Sequence, residues 1–358
     1  MANKANKPTR HTNRRRPTGQ SGESPVDTRV TEGESVQAAI ERASPGDVVG
    51  LQGGTFTEQI VVDRELTLTG VGPERTVLRA PPSLEGRFRR GEQWISPVIS
   101  LESSGAKLQN MQVEGARAER TDHTIVGIGC TDPSVDIGDV RVTGSETAST
   151  RPGIGILVYN DDCARRGAVV EDCEICDYRH SGIVAQGTGL DVRVTESTVT
   201  GIGPTDTNRQ HGIRVSGTSR ATLLGNTVAD NYYRDSSIGA GILVDATRDV
   251  FVAWNDIEGN NSGIAAQKTG DIVARRNNIR PNDTGALNLG AKSFDATNNW
   301  WGSPDGPSIS KIWTGNGEGG DTDAAANGSG DAIVNVSWQP YATSPVDTSV
   351  WSRVGGRS

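Results

Sequence analysis

One two-part unit recurs between residues 127 and 301, and it limits the folds open to this chain more than any other feature. Its first part is a Gly-apolar-x-apolar run, read at Gly155-Ile156-Leu157-Val158, Gly182-Ile183-Val184-Ala185, Gly212-Ile213-Arg214-Val215, Gly241-Ile242-Leu243-Val244 and Gly263-Ile264-Ala265-Ala266. The second part ends in a small or amide side chain two residues before an apolar one. Its clearest copies are Asn226-Thr227-Val228, Asn255-Asp256-Ile257, Asn277-Asn278-Ile279 and Asn299-Trp300-Trp301, spaced 29, 22 and 22 residues apart. A fixed period of this size is the mark of a solenoid. Apolar residues alternate with period two inside each short run, and no stripe of helical spacing lasts long enough to make a helix. These observations predict an all-β chain, a right-handed single-stranded parallel β-helix in which each repeat supplies one coil.

Composition agrees with that scaffold. Glycine accounts for 45 of 358 residues and aromatic residues for only 4%, as expected for tight corners around a narrow aliphatic core. A solenoid grows in one dimension, so the length demands no second domain. The formal charge of −8 argues against a duplex nucleic-acid partner, which requires a positive face for its phosphates. No run of apolar residues is long enough to span a membrane. The basic stretch from Lys4 to Arg16 is followed by polar sequence instead of an apolar segment, so no secretory signal is expected. Location is left unknown, with a virion or a non-classical export route among the candidates.

Three segments are expected. Residues 1–29 read as a disordered basic tail, residues 30–309 as the β-helix with its cap, and residues 310–358 as a loop-rich C-terminal cap or tail. Ser35 to Ala43 predicts an amphipathic helix, with Val36, Ala39, Ile40 and Ala43 on one side, covering the open end of the first coil. Asp47 to Leu51 and Leu66 to Gly70 read as strands, and Gly53 to Glu58 as a turn into Gln59 to Val62. After the repeat, Ser310 to Gly330 reads as loop and Ala332 to Trp338 as one more strand, which with Trp351 would either close the stack or form a tail docking on a partner chain.

The opening elements Ala39-Ile40-Glu41-Arg42-Ala43, Gly46-Asp47, Gly54-Thr55-Phe56-Thr57-Glu58 and Leu66 to Gly70 resemble the start of repeat proteins of the pectin-lyase-like superfamily. The closing phrase Asn298-Asn299-Trp300-Trp301-Gly302-Ser303-Pro304-Asp305-Gly306-Pro307 is similar to the last rung of periplasmic copper-handling repeat proteins and secreted carbohydrate-active β-helices. The resemblance implies the fold directly. It leaves the activity open, because lyases, hydrolases, epimerases, binding proteins and phage tailspikes share this scaffold. Calcium is the candidate cofactor in that setting, although no aspartate cluster here clearly matches the calcium site of pectate lyases. The Asp-Pro-His motif of alginate epimerases and the catalytic set of polygalacturonases are absent as well.

The asparagines at 226, 255, 277 and 299 predict a stacked structural ladder, because an amide can donate to one neighbour and accept from another. Earlier coils place Met111, Val140, Cys173 and Ser197 at the equivalent position. Cys130 and Cys173 fall on inward positions and read as buried thiols, while Cys163 and Cys176 could form a bridge in an exported protein. Pro81 to Gln93 interrupts the repeat with Arg87, Arg89 and Arg90 around Phe88, and reads as a surface excursion.

Polar side chains gather just before the Gly-Ile runs. His123, Arg151, Asp177-Tyr178-Arg179-His180, Asp206, Arg209, His211 and Tyr233-Arg234-Asp235 would stack into a strip several coils tall, at about 4.8 Å per coil. Three of the chain's four histidines lie in it. Such a strip suits an acidic polysaccharide. His180 or His211 would be the base that abstracts a proton beside a uronate carboxylate, Arg179, Arg209 or Arg151 would hold the developing enediolate, and Tyr178 or Tyr233 would return the proton or protonate the leaving oxygen. Arg151, Asp177, Asp206, Tyr233, Arg234, Asp235 and His123 would contact the polymer. A lyase or an epimerase would fit this pattern, and a hydrolase would instead use a pair of the aspartates. The alternative is a non-catalytic structural or carbohydrate-binding protein such as a viral or cell-surface appendage. Oligomeric state is left open.

Overall fold

The computed structural model describes residues 25–115, 123–131, 134–144, 153–162, 164–206, 209–217, 220–234, 239–309 and 328–350. Within them the chain winds as a right-handed parallel β-helix. A 12-stranded front sheet carries every Gly-apolar run, and an 18-stranded sheet forms the remaining walls. Front-sheet strands include Thr124–Cys130, Gly153–Asn160, Ser181–Gly187, His211–Ser216, Ala240–Asp245, Ser262–Gln267 and Thr284–Leu289. Their register aligns Ile128, Ile156, Ile183, Ile213, Ile242, Ile264 and Ala286 in one buried column. Full burial of each isoleucine is worth about 1.5–3 kcal/mol, and the column supplies it once per coil.

The recurring glycine has a steric origin. A Cβ at Gly182, Gly212 or Gly241 would lie 2.8, 2.7 or 3.0 Å from the carbonyl oxygen of the corresponding glycine one coil on. Coils can therefore stack this closely only where the side chain is a hydrogen atom.

Corners of the second part share another device. Asn110, Asp139, Asp172, Glu196, Trp254, Arg276 and Asn298 all have φ between 50° and 60°, and Gly225 has φ 67°. The residue after each one points inward. At the later corners that residue is a buried asparagine. The Asn255 Oδ1 accepts from the backbone N–H and the amide of Asn226, both at 2.9 Å, and Asn277 and Asn299 repeat the pattern on the following coils. The free amide protons go to carbonyls of the same or the previous coil, such as Leu223 and Ala253 for Asn255. Upstream, the Ser197 hydroxyl accepts from the Cys173 N–H and carries the ladder one coil further.

A second ladder was not legible in the repeat. Asn231 donates to Asn260, Asn260 to Asn282, and Asn282 to the Asp331 carboxylate. At its other end the Tyr178 hydroxyl donates to Asn231 Oδ1 at 2.5 Å. Asn260 and Asn282 stand in the later coils just before the front-sheet strands, where earlier coils carry the polar strip. They are corner residues, because an amide at this position satisfies the turn of the coil before it.

Both ends are closed. The helix Val36–Arg42 has Ser35 as its N-cap, and Glu58 accepts from the first free N–H groups of Val36 and Gln37. Val36, Ala39 and Ile40 bury against the first coil as the sequence suggested. The fold begins slightly earlier than expected, since the strand Thr28–Val30 pairs with Val48–Leu51. Gly54–Thr57 is a strand paired with Thr76–Arg79, where the sequence had suggested a turn. At the far end Gly330–Val334 joins the front sheet, Ser337 bridges to Asp295, and Trp301 and Trp338 are buried. The expected strand is thus shorter and shifted. The expected loop at 310–327 and Trp351 lie outside the described residues.

Cys130 and Cys173 are buried free thiols, pushed up to about 12 by loss of solvent. Cys176 is also a free thiol, and Cys163 lies outside the described residues.

Two stability measurements test these ladders. Asn255→Ala removes an acceptor used by two buried donors and should cost about 1–3 kcal/mol, seen as a lower urea midpoint with unchanged slope. A midpoint equal to wild type would mean that water reaches this corner. Burial pushes the Asp331 carboxyl up to about 6, against the hydrogen bonds from Asn282. The folded state therefore holds this proton more tightly than the unfolded state, with its reference value of 3.8. Asp331's contribution is full below that value and is lost as pH rises to about 6, an effect on the order of 3 kcal/mol. Asp331→Asn keeps the acceptor and removes the charge. Its stability relative to wild type should rise between pH 4 and pH 7, and a constant difference would refute the assignment.

Candidate functional site

The outer face of the front sheet changes character along the axis. Toward the N-terminal end Ile95, Val126, Ile154, Leu157 and Val184 form a buried apolar patch, with Phe88 and Tyr159 packed against it. Toward the C-terminal end Ala240, Leu243, Ala265 and Leu287 form a second one. Between them stand His180, Ser181, His211, Arg214 and Asp245. Arg214 pairs in register with Val184 on one side and Leu243 on the other, so a guanidinium interrupts an otherwise aliphatic column.

The interruption at Pro81 to Gln93 supplies the other half of the site. It had read as a surface excursion, yet Phe88–Arg90 forms an antiparallel strand against the beginning of Gln93–Leu101. Phe88 stacks on Tyr159, with ring centroids 6.3 Å apart and planes 14° from parallel. That contact pins the hairpin to the sheet. Arg87 is taken up by Glu102 at 3.1 Å, and Arg89 lies over the Trp94 ring at 4.8 Å. Arg90 instead reaches the site, where burial and the charge of Arg214 lower its pKa. Its side chain makes no hydrogen bond or ion pair among the described residues.

His180 and His211 meet edge to face with centroids 5.8 Å apart. Ser181 Oγ lies 2.9 Å from His180 Nδ1. Burial, followed by the charges of Arg214 and Arg90, brings His180 down to about 4. His211 is buried outright and is held well below the usual histidine value by desolvation, then by His180 and Arg214. Both imidazoles are therefore neutral at pH 7. Among the described residues the buried His211 Nδ1 and Arg214 Nε have no hydrogen-bond partner. Arg214 keeps one ion pair, to Asp245 at 3.3 Å. The cluster thus holds two guanidinium groups against one carboxylate, beside two uncharged proton acceptors.

The strip suggested by the sequence converges only in part. His180 and His211 come together, and the exposed Arg209 is close enough for its charge to act on His211. Tyr178 is a correction. Its side chain is fully buried and its hydroxyl ends the second amide ladder, so it cannot return a proton at the surface. His211 is likewise corrected from a surface base to a group buried behind His180. Asp206 and Arg234 neutralise each other in an exposed pair at 3.2 Å, and Tyr233 bridges to Thr205. Asp177 is an exposed corner residue with φ 55°, and Arg179 is half-buried. His123 sits by the hairpin, 2.8 Å from Ser96 Oγ and beside Trp94, in an earlier coil than His180. Arg151 and Asp235 lie outside the described residues.

Arg90 was noted only within the interrupting loop, and Tyr159, Ser181, Arg214 and Asp245 were missed as site residues. Arg214 alone carried a signal, as the one charged residue in the Gly-Ile-x-apolar runs. Among the described residues no group of three His, Cys, Asp or Glu side chains is placed to hold a metal ion, and no helix is long and apolar enough to cross a membrane.

Residues 153–309 match the family model described as right handed beta helix region. A search of curated proteins finds no match. Among solved structures, tailspike protein 2 from Escherichia coli O157:H7 bacteriophage CAB120 is similar with a TM-score of 0.51 at 15% identity, covering 76% of this chain and 38% of that chain. The A-module of the Azotobacter vinelandii mannuronan C-5 epimerase AlgE6 gives 0.46 at 16%, covering 74% and 71%. A pectin methylesterase in complex with a hexasaccharide gives 0.44 at 12%, covering 68% and 81%. At 15% identity the likeness to the tailspike is one of fold.

The electrostatics of the cluster can be read directly by following the His180 ring in an NMR pH titration. It should titrate near pH 4, and Arg90→Gln should move it upward by removing one of the charges that opposes protonation. An unchanged value would place Arg90 outside the site.

Proposed function

We propose that this right-handed parallel β-helix of the pectin-lyase-like type binds an acidic polysaccharide along the outer face of its front sheet. The observation that carries the reading is the cluster of Arg90 and Arg214 around the neutral His180 and His211, with buried polar atoms of His211 and Arg214 left without partners. A partly desolvated pair of like charges is costly unless an anion joins it. A uronate carboxylate meets that need through planar, bidentate contacts with guanidinium groups.

The same cluster supports a reaction. Proton abstraction from the carbon beside the carboxylate requires a free base and positive charge to hold the enediolate. His180 is the free base at neutral pH, and a bound carboxylate would offset Arg90 and Arg214 and raise its basicity. Collapse of the enediolate with loss of the glycosidic oxygen gives elimination. Return of a proton to the opposite face gives epimerisation. With Tyr178 buried, Tyr159 takes the donor role in this proposal, because it stands by Arg90 and burial raises its pKa so that it keeps its proton. Attachment without turnover is the second reading, favoured by the low basicity of His180 before ligand binds.

Alginate, pectate and glycosaminoglycans, offered with and without calcium, separate these outcomes. Ultraviolet absorbance of the unsaturated product reports elimination, and NMR of the polymer reports epimerisation. Arg214→Gln is expected to weaken binding tenfold or more. His180→Ala should abolish turnover while the urea midpoint and binding are retained. Because His180 gains its proton near pH 4, kcat/KM of the free enzyme should fall as pH drops through that value. Binding without product would leave an attachment surface, and absence of binding across the panel would overturn the proposal.

A further inference from the structure

A separate groove follows the opposite edge of the front sheet, where its strands turn into the next wall. The cavity is about 720 Å3 and is lined by Arg165, Arg166, Asp191, Arg220, Arg248 and Asp249. Register places Gly167 beside Asp191 and Asp191 beside Arg220, and the next coil pairs Ala221 with Val250. The lining therefore comes from successive coils, and at about 4.8 Å per coil the groove is about 14 Å long. Arg166 is paired with Asp162 at 2.7 Å, and Arg220 with Asp249 at 3.2 Å. The second pair is more than half exposed on both sides, which makes it cheap to open. Arg165 and Arg248 are exposed and have no side-chain hydrogen bond or ion pair among the described residues.

We propose that this groove is a second binding site for an acidic polysaccharide, holding a few rings of a polymer extended along the solenoid axis. Its spacing of charge selects the ligand. Duplex nucleic acid presents a negative charge about every 1.7 Å, and Asp191 and Asp249 would repel so dense an array. A polyuronate presents one carboxylate per ring, with hydroxyl groups between. Arginines can clamp the carboxylates while the two aspartates accept hydrogen bonds from the hydroxyls. Groove length favours an extended chain over a single small anion. This site shares its ligand class with the His180 cluster and none of its residues. Two sites on opposite edges of one sheet would also raise the apparent affinity for a long polymer above that for its fragments.

Affinity electrophoresis and calorimetry with polyuronates and with their short oligosaccharides test the groove. Arg165→Gln/Arg248→Gln should weaken binding of the long polymer tenfold or more and remove one class of sites, with the urea midpoint unchanged. Arg90→Gln/Arg214→Gln should leave the groove sites filled, so failure of the front-sheet reading and failure of this one give different results. Arg165→Lys/Arg248→Lys should restore only part of the affinity, because an ammonium lacks the planar fork. Wild-type affinity in the glutamine variant would overturn the proposal. So would an equal loss of binding to single-stranded DNA of matched length, which would mark the groove as a general cationic surface, or a failure of any polyuronate to bind the wild-type protein.

Discussion

Coil-to-coil stacking through the corners is the constraint on which everything else depends. Each corner of the first amide ladder turns through a left-handed residue, which costs roughly 1–2 kcal/mol for a side chain other than glycine. Residues such as Trp254 and Arg276 accept that conformation because the inward neighbour then places an amide where two donors of the adjacent coil need an acceptor. Breaking one rung would strand several buried polar groups at once. The corners, more than the aliphatic core, set the distance and phase of successive coils.

Fixed phase is what allows an outer face to be assembled from distant parts of the sequence. His180 and His211 lie in consecutive coils, Arg214 follows in the strand begun by His211, and Arg90 arrives from a hairpin three coils before that of His180. The hairpin can reach them because Phe88 finds Tyr159 on the same sheet face. Apolar patches on either side withdraw solvent from the cluster, and that withdrawal keeps both imidazoles neutral. Packing and protonation state are thus two consequences of one arrangement.

The opposite edge of the sheet shows a different electrostatic regime. Its arginines are exposed and interleaved with aspartates, so their charges are solvated and screened. The two edges therefore differ in kind: one is a desolvated cluster and the other a solvated row of mixed charge.

Period and patterning alone determined the architecture. Glycine recurring before an isoleucine, asparagine recurring at the corner and strict alternation between them leave a parallel β-helix as the consistent solution, and even the capping helix from Val36 was readable. Local rules suffice there because every coil repeats the same contacts with its neighbours. The site was only half legible. Rarity of histidine pointed to His180 and His211, but inward or outward direction at a corner depends on which residue takes the left-handed conformation. Sequence could not show that Tyr178 turns inward to Asn231. Nor could it bring the charge of Arg90 to bear on His180, since that rests on a hairpin folding back over the sheet toward coils that its own segment does not adjoin. Only the tertiary structure decided those positions, because they are set by packing between segments with no periodic relation.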